Sequence, residues 1–303
     1  MTAEPAAYLA GATASGKSAE AVRLARALGL AIVSCDALQV YRGIEIGTAQ
    51  PLESERGGVP HHLLGCSDVA EEWHAARFAR EAREAIEAEA RAGRRCLVVG
   101  GTGLWLRALR EGLFDGPGRD EELRRELRAV LAERGPGGLH ALLAEEDPEA
   151  AAALRPADHV RVLRALEVWR LTGRSIADWQ REDAARRGAL GPLPPLFVLQ
   201  RPRGELHARI AARVDRMLAD GWLAEAGRLR ERALPEHAPP SKALGYRELS
   251  AVLDGRATLA EVRERIVAGT RQFARRQETW FRAERGAVAA GPGCAELEAL
   301  LSR

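Results

Sequence analysis

Apolar residues fall along this chain in short uninterrupted runs near its N-terminal end and in longer helical periods through its middle. Ala6-Ala7-Tyr8-Leu9-Ala10 reads as a buried strand. The segment 19–28 follows as a helix, with Val22, Leu24, Ala25 and Leu28 available for burial before Gly29 stops it. Residues 30–35 form a second apolar, partly β-branched run, and residues 95–99 a third that runs into Gly100-Gly101-Thr102-Gly103. Strands joined by helices make βαβ units, so a parallel sheet is predicted. From about Asp115 the pattern changes to helices rich in Arg, Glu, Ala and Leu, with breaks at Gly135-Pro136-Gly137-Gly138, Pro148 and Pro156. Residues 193–199, with proline-rich flanks, return as a strand.

Between the first strand and its helix lies Gly11-Ala12-Thr13-Ala14-Ser15-Gly16-Lys17-Ser18, a full match to GxxxxGK[ST]. In that context successive backbone N–H groups and a helix N-terminus cradle a di- or triphosphate. Lys17 adds a point charge, and the Ser18 hydroxyl is placed to hold Mg²⁺. ATPases, kinases and enzymes that expel diphosphate all use such a cradle, so ATP or another nucleotide stays open as its occupant. The expected architecture is α/β: a P-loop NTPase-like parallel sheet core flanked by helices, formed by residues 1–115 and 191–303, with an all-helical insertion over residues 116–190.

Asp36 ends the second strand, and carboxyl ends of parallel strands are where such folds put chemistry. Four roles are open to it: indirect Mg²⁺ ligand, substrate-orienting group, general base, or plain helix N-cap. Gln39 carries both a donor and an acceptor, as reading a nucleobase edge requires. The third strand ends without the carboxylate a motor ATPase would place there, and Thr102 offers a hydroxyl to the cleft instead.

Composition narrows the classes. The 303 residues, 46% hydrophobic and 29% charged, suit a folded globular protein of one large or two modest domains. No run approaches the roughly 18 apolar residues of a membrane helix, and the N-terminus has no basic region of a secretory signal. Cys35, Cys66, Cys96 and Cys294 form no CxxC pair, so zinc and disulfide frameworks are not expected and a cytoplasmic location is. Only Lys17 and Lys242 are lysines; every other side-chain cation is an arginine. A position that keeps lysine needs a compact ammonium, a clue useful at Lys17 and only suggestive at Lys242.

Residues 155–187 carry eight arginines against five acids, and residues 256–285 eight against four. Arg271, Arg275 and Arg282 share one helical face; Phe273, Trp280 and Phe281 share another, expected in the core. Such local excesses suit either phosphate-backbone contact or a solvated Arg/Glu surface. His61 and His62 lack partners at metal spacing, so ordinary hydrogen bonds are expected of them. Trp73, Trp105, Trp169, Trp179 and Trp222 are expected in core or interface, with Trp105 beside the glycine turn where it could line the apolar part of a ligand.

Taken together, several blocks resemble the tRNA dimethylallyltransferase family: the phosphate loop, Asp36-Ala37-Leu38-Gln39-Val40-Tyr41-Arg42, Ile46-Gly47-Thr48-Ala49, Gly58-Val59-Pro60-His61-His62-Leu63 and Gly100-Gly101-Thr102-Gly103-Leu104-Trp105. Arg161-Val162-Leu163-Arg164-Ala165-Leu166-Glu167, Leu244-Gly245-Tyr246-Arg247 and the segment 270–277 continue the likeness in family order, from about residue 8 to 285. The resemblance implies transfer of a dimethylallyl group from dimethylallyl diphosphate to N6 of the adenine at tRNA position 37, beside the anticodon, with Mg²⁺ as cofactor. It implies that Asp36 takes the N6 proton, that Gly11, Ala12, Thr13, Ala14, Ser15, Gly16, Lys17 and Ser18 hold the diphosphate, and that Ser18 lies near Mg²⁺. Lys17 and Thr102 join Asp36 among the catalytic positions. Asp36, Ala37, Leu38, Gln39 and Thr102 match positions contacting the target nucleotide. Arg124, Val160, Arg161, Val162, Leu163, Arg164, Lys242, Ala243, Leu244, Gly245, Tyr246 and Arg247 align with further tRNA-contacting positions. A cytoplasmic monomer acting on the anticodon stem-loop, without a membrane, is implied.

The chain departs from the family pattern at Ala12, usually Pro, at Ser18, often Thr, and at Ala37, often Ser. The first two keep the cradle and the hydroxyl, whereas the third removes a hydroxyl beside the base. The zinc finger of eukaryotic relatives is missing, as in bacterial-type enzymes. Two rivals remain: a P-loop kinase of a small metabolite with Asp36 as base, and a nucleotide-gated RNA-binding protein without chemistry.

Overall fold

The computed structural model describes residues 3–113, 116–235 and 238–302, apart from the side chain of Lys242; Asp115, where the helical pattern was expected to begin, lies outside them. They fall into two compact units, Met1–Arg110 with Leu193–Arg303, and Glu111–Pro192.

In the first unit the chain runs β1 (Ala7–Gly11), α1 (Lys17–Leu28), β2 (Ala31–Cys35), β3 (His61–His62), α2 (Ala75–Arg91), β4 (Cys96–Gly100) and α3 (Gly103–Glu111). The second unit holds α4 (Glu121–Glu146), α5 (Pro148–Ala153), α6 (His159–Thr172) and α7 (Ile176–Gly188). The first unit then resumes with β5 (Leu196–Leu199), α8 (Arg203–Ala219), α9 (Trp222–Glu231), α10 (Tyr246–Leu253), α11 (Leu259–Arg282), β6 (Ala287–Ala290) and α12 (Ala295–Leu301). Three single turns, at Glu45–Thr48, Glu53–Arg56 and Pro240–Lys242, complete the helical segments.

All six strands are parallel, in the order β3-β2-β4-β1-β5-β6. The apolar runs are continuous because both faces of the sheet are covered. Alternate residues feed opposite cores: Tyr8, Ala10, Val33 and Val98 join one cluster, and Ala7, Leu9, Ile32 and Leu97 the other. β4 lies between β1 and β2, so the connection from β1 skips a position, and the crevice at the carboxyl ends opens there. The Gly11–Ser18 loop, Asp36 and the Gly100–Thr102 turn all emerge at that edge. β5 begins only after Pro194 and Pro195, which lack the N–H a ladder requires. β3, with two residues, and β6, largely alanine, carry too little apolar pattern to be read as strands from sequence.

α1 ends at Gly29 (φ 64°), whose N–H donates to the Ala25 carbonyl. α11 starts on a capping box, with Thr258 N–H donating to Glu261 and Glu261 N–H returning to the Thr258 hydroxyl. Among the described residues no helix is long and apolar enough to cross a membrane.

The helical unit has its own core, built on Leu127, Leu139, Leu143, Val162, Leu166 and Val168. α4 is interrupted where the Gly-Pro break was expected: Gly135 takes φ 67° and Pro136 follows. At the centre of this unit sits Glu167, fully buried. Arg124 donates to both its oxygens, at 2.6 and 2.9 Å, Arg164 pairs with Oε2, and the Asp120 N–H donates to Oε1 at 3.0 Å. Burial acts to raise the Glu167 carboxyl, but the bonds from Arg124 and Arg164 outweigh it and hold the group below the usual carboxylate range.

Replacing Glu167 with Ala strands two guanidinium groups. We expect the variant to lose about 3–5 kcal/mol of stability in the helical unit, read as faster amide hydrogen exchange across α4 and α6. Since the folded carboxyl titrates below its unfolded value, its contribution is present above the unfolded pKa and lost as pH falls through the folded one. Wild-type protection in these helices should therefore fall toward the variant's level as the pH drops through that range, while the variant, lacking the carboxyl, loses less; unchanged exchange in Glu167→Ala contradicts the hub.

Candidate active site

The phosphate loop keeps its amides available by fixing its carbonyls. Ala14 (φ 62°) and Gly16 (φ 95°) take left-handed backbone, which sets the sharp turn of the loop. Arg201 Nε donates to the Ser15 carbonyl at 2.6 Å and Arg209 Nε to the Ala14 carbonyl at 2.8 Å. No side chain caps α1, so the N–H groups of its first turn stay open for an anion. Lys17 Nζ reaches the Ala12 carbonyl at 3.4 Å and faces the cavity. Burial pushes its ammonium down to about 8, against the pull of the Asp36 carboxylate and with a further push from Arg213.

Asp36 is held in a tight turn and not at the start of a helix. Its Oδ1 accepts from the Leu38 N–H at 3.0 Å and the Gln39 N–H at 3.4 Å. No hydrogen bond reaches Oδ2 among the described residues. Thr102 Oγ1 accepts from the Ala37 N–H at 3.0 Å, so this hydroxyl braces the Asp36 turn. The Gln39 amide is committed internally: Nε2 donates to the Thr48 and Ala49 carbonyls at 3.0 and 3.1 Å. Arg213 donates to the same Thr48 carbonyl at 3.3 Å, and burial holds its guanidinium below its ordinary value.

These groups share one cavity of about 460 Å³. Its polar end carries Thr13, Lys17, Ser18, Asp36, Arg213 and Gln277; its other end is apolar, with Ile210, Val214, Met217, Trp222, Phe273 and Trp280. Two glycines let the walls close: a Cβ on Gly47 would collide with Trp222 and Tyr246, and one on Gly103 with Trp280. The Gly47 wall is fixed by Glu225, a buried carboxylate that accepts from the Ile46 and Gly47 N–H groups at 2.9 and 2.8 Å and from the Tyr246 hydroxyl at 2.6 Å. A smaller pocket of about 20 Å³ also reaches Lys17, Ser18 and Asp36, with His61 on its wall.

The remaining sequence-derived candidates divide. Leu38, Ala37 and Leu244 line the cavity. Ala243 and Tyr246 are buried, Gly245 (φ 99°) packs against Trp222, and Arg247 is exposed. Val160 and Arg161 are exposed on α6, Leu163 is half-buried, and Val162 belongs to the helical core, while Arg124 and Arg164, half-buried, pair with Glu167. The Lys242 side chain lies outside the described atoms. Of the three α11 aromatics expected in the core, only Phe281 is there; Phe273, 41% exposed, and Trp280 line the cavity instead. Trp105 stacks on Phe78 at 4.8 Å within the core, and the cavity tryptophans are Trp222 and Trp280. His61 Nδ1 bonds the Val59 carbonyl and His62 Nε2 pairs with Glu89 at 2.7 Å. Arg213, Glu225 and Gln277 were not singled out from the sequence. In a chain with 43 arginines nothing local distinguishes Arg213, while the buried faces of α9 and α11 could have flagged Glu225 and Gln277 as polar residues at core positions.

A family model described as IPP transferase matches residues 39–284. The tRNA dimethylallyltransferase of Alkalilimnicola ehrlichii is 46% identical over 286 residues, covering 94% of this chain and 90% of that protein. The one from Anaeromyxobacter dehalogenans strain 2CP-C is 48% identical over 287 residues, 94% of each. Among solved structures, the full-length tRNA isopentenylpyrophosphate transferase of Bacillus halodurans superposes with a TM-score of 0.67 at 36% identity, covering 94% of this chain and 89% of that one. A eukaryotic dimethylallyltransferase crystallised acting on tRNA gives 0.76 at 28% identity, covering 95% and 74%.

The depressed Lys17 pKa sets a pH dependence for the cradle. Below about 8 the ammonium carries its charge; above it the charge is lost, so affinity for a diphosphate monoester should fall as pH rises from 7.5 to 9. Calorimetry in buffers of different ionisation enthalpy should show net proton uptake on binding near pH 8, absent in Lys17→Met. Flat affinity across that range would remove Lys17 from the anion site.

Proposed function

The chain belongs to the IPP transferase family, whose relatives prenylate tRNA, and from that premise we propose that it moves a dimethylallyl group from dimethylallyl diphosphate to N6 of the adenine at position 37, beside the anticodon. The observation that carries the reading is convergence: an anion cradle, a carboxylate with one oxygen uncommitted, and aromatic walls face one cavity.

The donor's C–O bond breaks with its electron pair passing to the leaving diphosphate. The loop N–H groups, Lys17 and Arg213 meet that charge from fixed positions, and one such preorganised contact is typically worth about 3 kcal/mol of barrier. The adenine amine is a weak nucleophile because its lone pair is delocalised into the ring. As the N–C bond forms, Asp36 Oδ2 accepts the N6 proton, a transfer requiring an approach of about 3 Å. The turn that occupies Oδ1 leaves that second oxygen for the task. Water is kept from the allylic carbon by the apolar end of the cavity, where Trp222, Phe273 and Trp280 also offer faces for the tail and a flipped base.

Mg²⁺ fits the residues present. Ser18 is exposed at the mouth of α1, and Ser18 and Asp36 line both pockets, an all-oxygen donor set. Among the described residues no group of three or more His, Cys, Asp or Glu forms a protein cage, which suits an ion held largely by substrate oxygens and water. When bound, the ion supplies charge neutralisation at the diphosphate.

A tRNA backbone is met at least cost by exposed cations that have no carboxylate partner to give up. Arg271, Arg275, Arg276 and Arg282 of α11 are exposed and make no ion pair among the described residues, and Arg276 lies over the Phe273 ring at 5.8 Å. They lie on the helix that brings Phe273, Gln277 and Trp280 to the cavity.

Purified protein incubated with unmodified tRNA, Mg²⁺ and dimethylallyl diphosphate should yield an adenosine heavier by one dimethylallyl group when the tRNA is digested and its nucleosides weighed. Asp36→Ala should abolish that product and still bind tRNA; retained turnover removes Asp36 from the base role. ATP-dependent phosphorylation of a small acceptor, with no modified nucleoside, would favour the kinase alternative. Changing Arg271, Arg275 and Arg282 together to Gln should weaken tRNA binding and lower its logarithmic salt slope by about two to three. An unaltered slope would place the tRNA elsewhere.

A further inference from the structure

Gln277 is a polar residue where α11 otherwise packs into the core, between Ala274 and Phe281. Its side chain spans two loops distant in sequence. Oε1 accepts from the Thr13 N–H of the phosphate loop at 2.8 Å, and Nε2 donates to the Gly101 carbonyl of the β4 turn at 2.8 Å. Only one orientation of the amide satisfies both partners. One residue further, Thr102 holds the Ala37 N–H, and its own N–H donates to the Cys35 carbonyl at 3.3 Å. A continuous series of bonds therefore runs from the phosphate loop through Gln277 and the Gly101-Thr102 turn to the strand end that carries Asp36.

We propose that Gln277 is a positioning residue for the transfer reaction: its buried amide fixes the spacing between the diphosphate cradle and the carboxylate that takes the acceptor's proton. The inference rests on the function proposed above. Substitution transfer is sensitive to this spacing because leaving group, allylic carbon, amine and base must be in reach at once, and a displacement of about 1 Å can cost on the order of a hundredfold in rate. Neither loop can set the distance alone. The phosphate loop leaves β1 and the Asp36 turn leaves β2, and these strands are separated by β4.

The test uses the full-length enzyme with tRNA, Mg²⁺ and dimethylallyl diphosphate. Gln277→Met keeps the length and bulk of the side chain and removes both bonds. The expected result is a single-turnover rate lower by about ten- to a hundredfold, with the Kd for tRNA unchanged and donor binding retained. Gly101→Ala is the second variant, since its new Cβ would displace Gln277 Nε2 while leaving Gln277 in the sequence. It should show the same split, and the double variant should be no slower than the worse single one, as for two changes acting through one contact. A rate equal to wild type in folded Gln277→Met, with only the melting temperature lowered, overturns the proposal by making the amide a packing element. Tighter donor binding with an unchanged rate also overturns it, because Gln277 would then merely compete for the Thr13 N–H. If the wild type itself forms no modified nucleoside, the proposed function fails first, and the two failures are told apart by that control.

Discussion

A phosphate cradle made of backbone must satisfy two opposed demands. Its N–H groups have to stay free for the anion, yet a buried loop with unpaired polar groups is costly and inclined to move. Here the conflict is settled by holding the loop through its carbonyls. Arg201 grips Ser15, Arg209 grips Ala14, and Lys17 reaches Ala12. Two loop amides are engaged: Ser15 closes a turn on the Ala12 carbonyl, and Thr13 is bonded to a side chain from α11. Left-handed backbone at Ala14 and Gly16 then becomes tolerable because the surrounding cations over-determine it. The rest of the first unit can be understood as the scaffold that brings the β5–α8 connection, α8 and α11 over the end of β1, with Arg201, Arg209 and Gln277 as anchors.

The same region gathers like charges. Lys17 and Arg213 lie in one cavity beside the Asp36 carboxylate, which favours the charged form of both, and burial works against that form. Two cations sharing one carboxylate leave a site prepared for further negative charge, as a diphosphate would bring. The opposite arrangement holds at Glu225. There a single buried carboxylate is saturated by two backbone N–H groups and the Tyr246 hydroxyl, and it raises the tyrosine's pKa further above what burial has already done. Glu225 offers nothing to a substrate; it shapes a wall. The contrast separates a carboxylate with one oxygen uncommitted, facing the cavity, from one wholly spent on holding the backbone of its wall.

What could be read from the sequence follows the length scale of the interaction. The Gly11–Ser18 loop, the strand before it and the helix after it are local, and the GxxxxGK[ST] spacing specifies them without tertiary help. Asp36 was legible as a strand-end carboxylate, though the Asx-type turn that orients it depends on Thr102, 66 residues later. β6 escaped notice because its alanines carry no strand pattern. Phe273 and Trp280 were misplaced for a different reason. A helical face buries aromatic residues equally well against a core or around a cavity, and periodicity does not distinguish these. Gln277 and Arg213 act through partners more than 150 residues away, which no local pattern encodes.

Arginine abundance shows the same limit and suggests a better criterion. Residues 155–187 looked basic by count, yet seven of their eight arginines pair with a carboxylate, Arg164 with Glu167 and Arg170 with Glu146 among them, and only Arg155 lacks one among the described residues. Of these, Arg164 would leave a buried carboxylate behind by turning to a polyanion, whereas the exposed pairs, Arg161 with Asp158 and Arg181 with Glu149 among them, are weak ties that compete only modestly. On α11, Arg263 is likewise held by Asp215, but Arg271, Arg275, Arg276 and Arg282 have no such tie. A phosphate backbone is drawn to the cations that lose nothing by meeting it. By that measure the α11 face is the stronger candidate for nucleic-acid contact, although its net excess differs by only one charge from that of the helical segment.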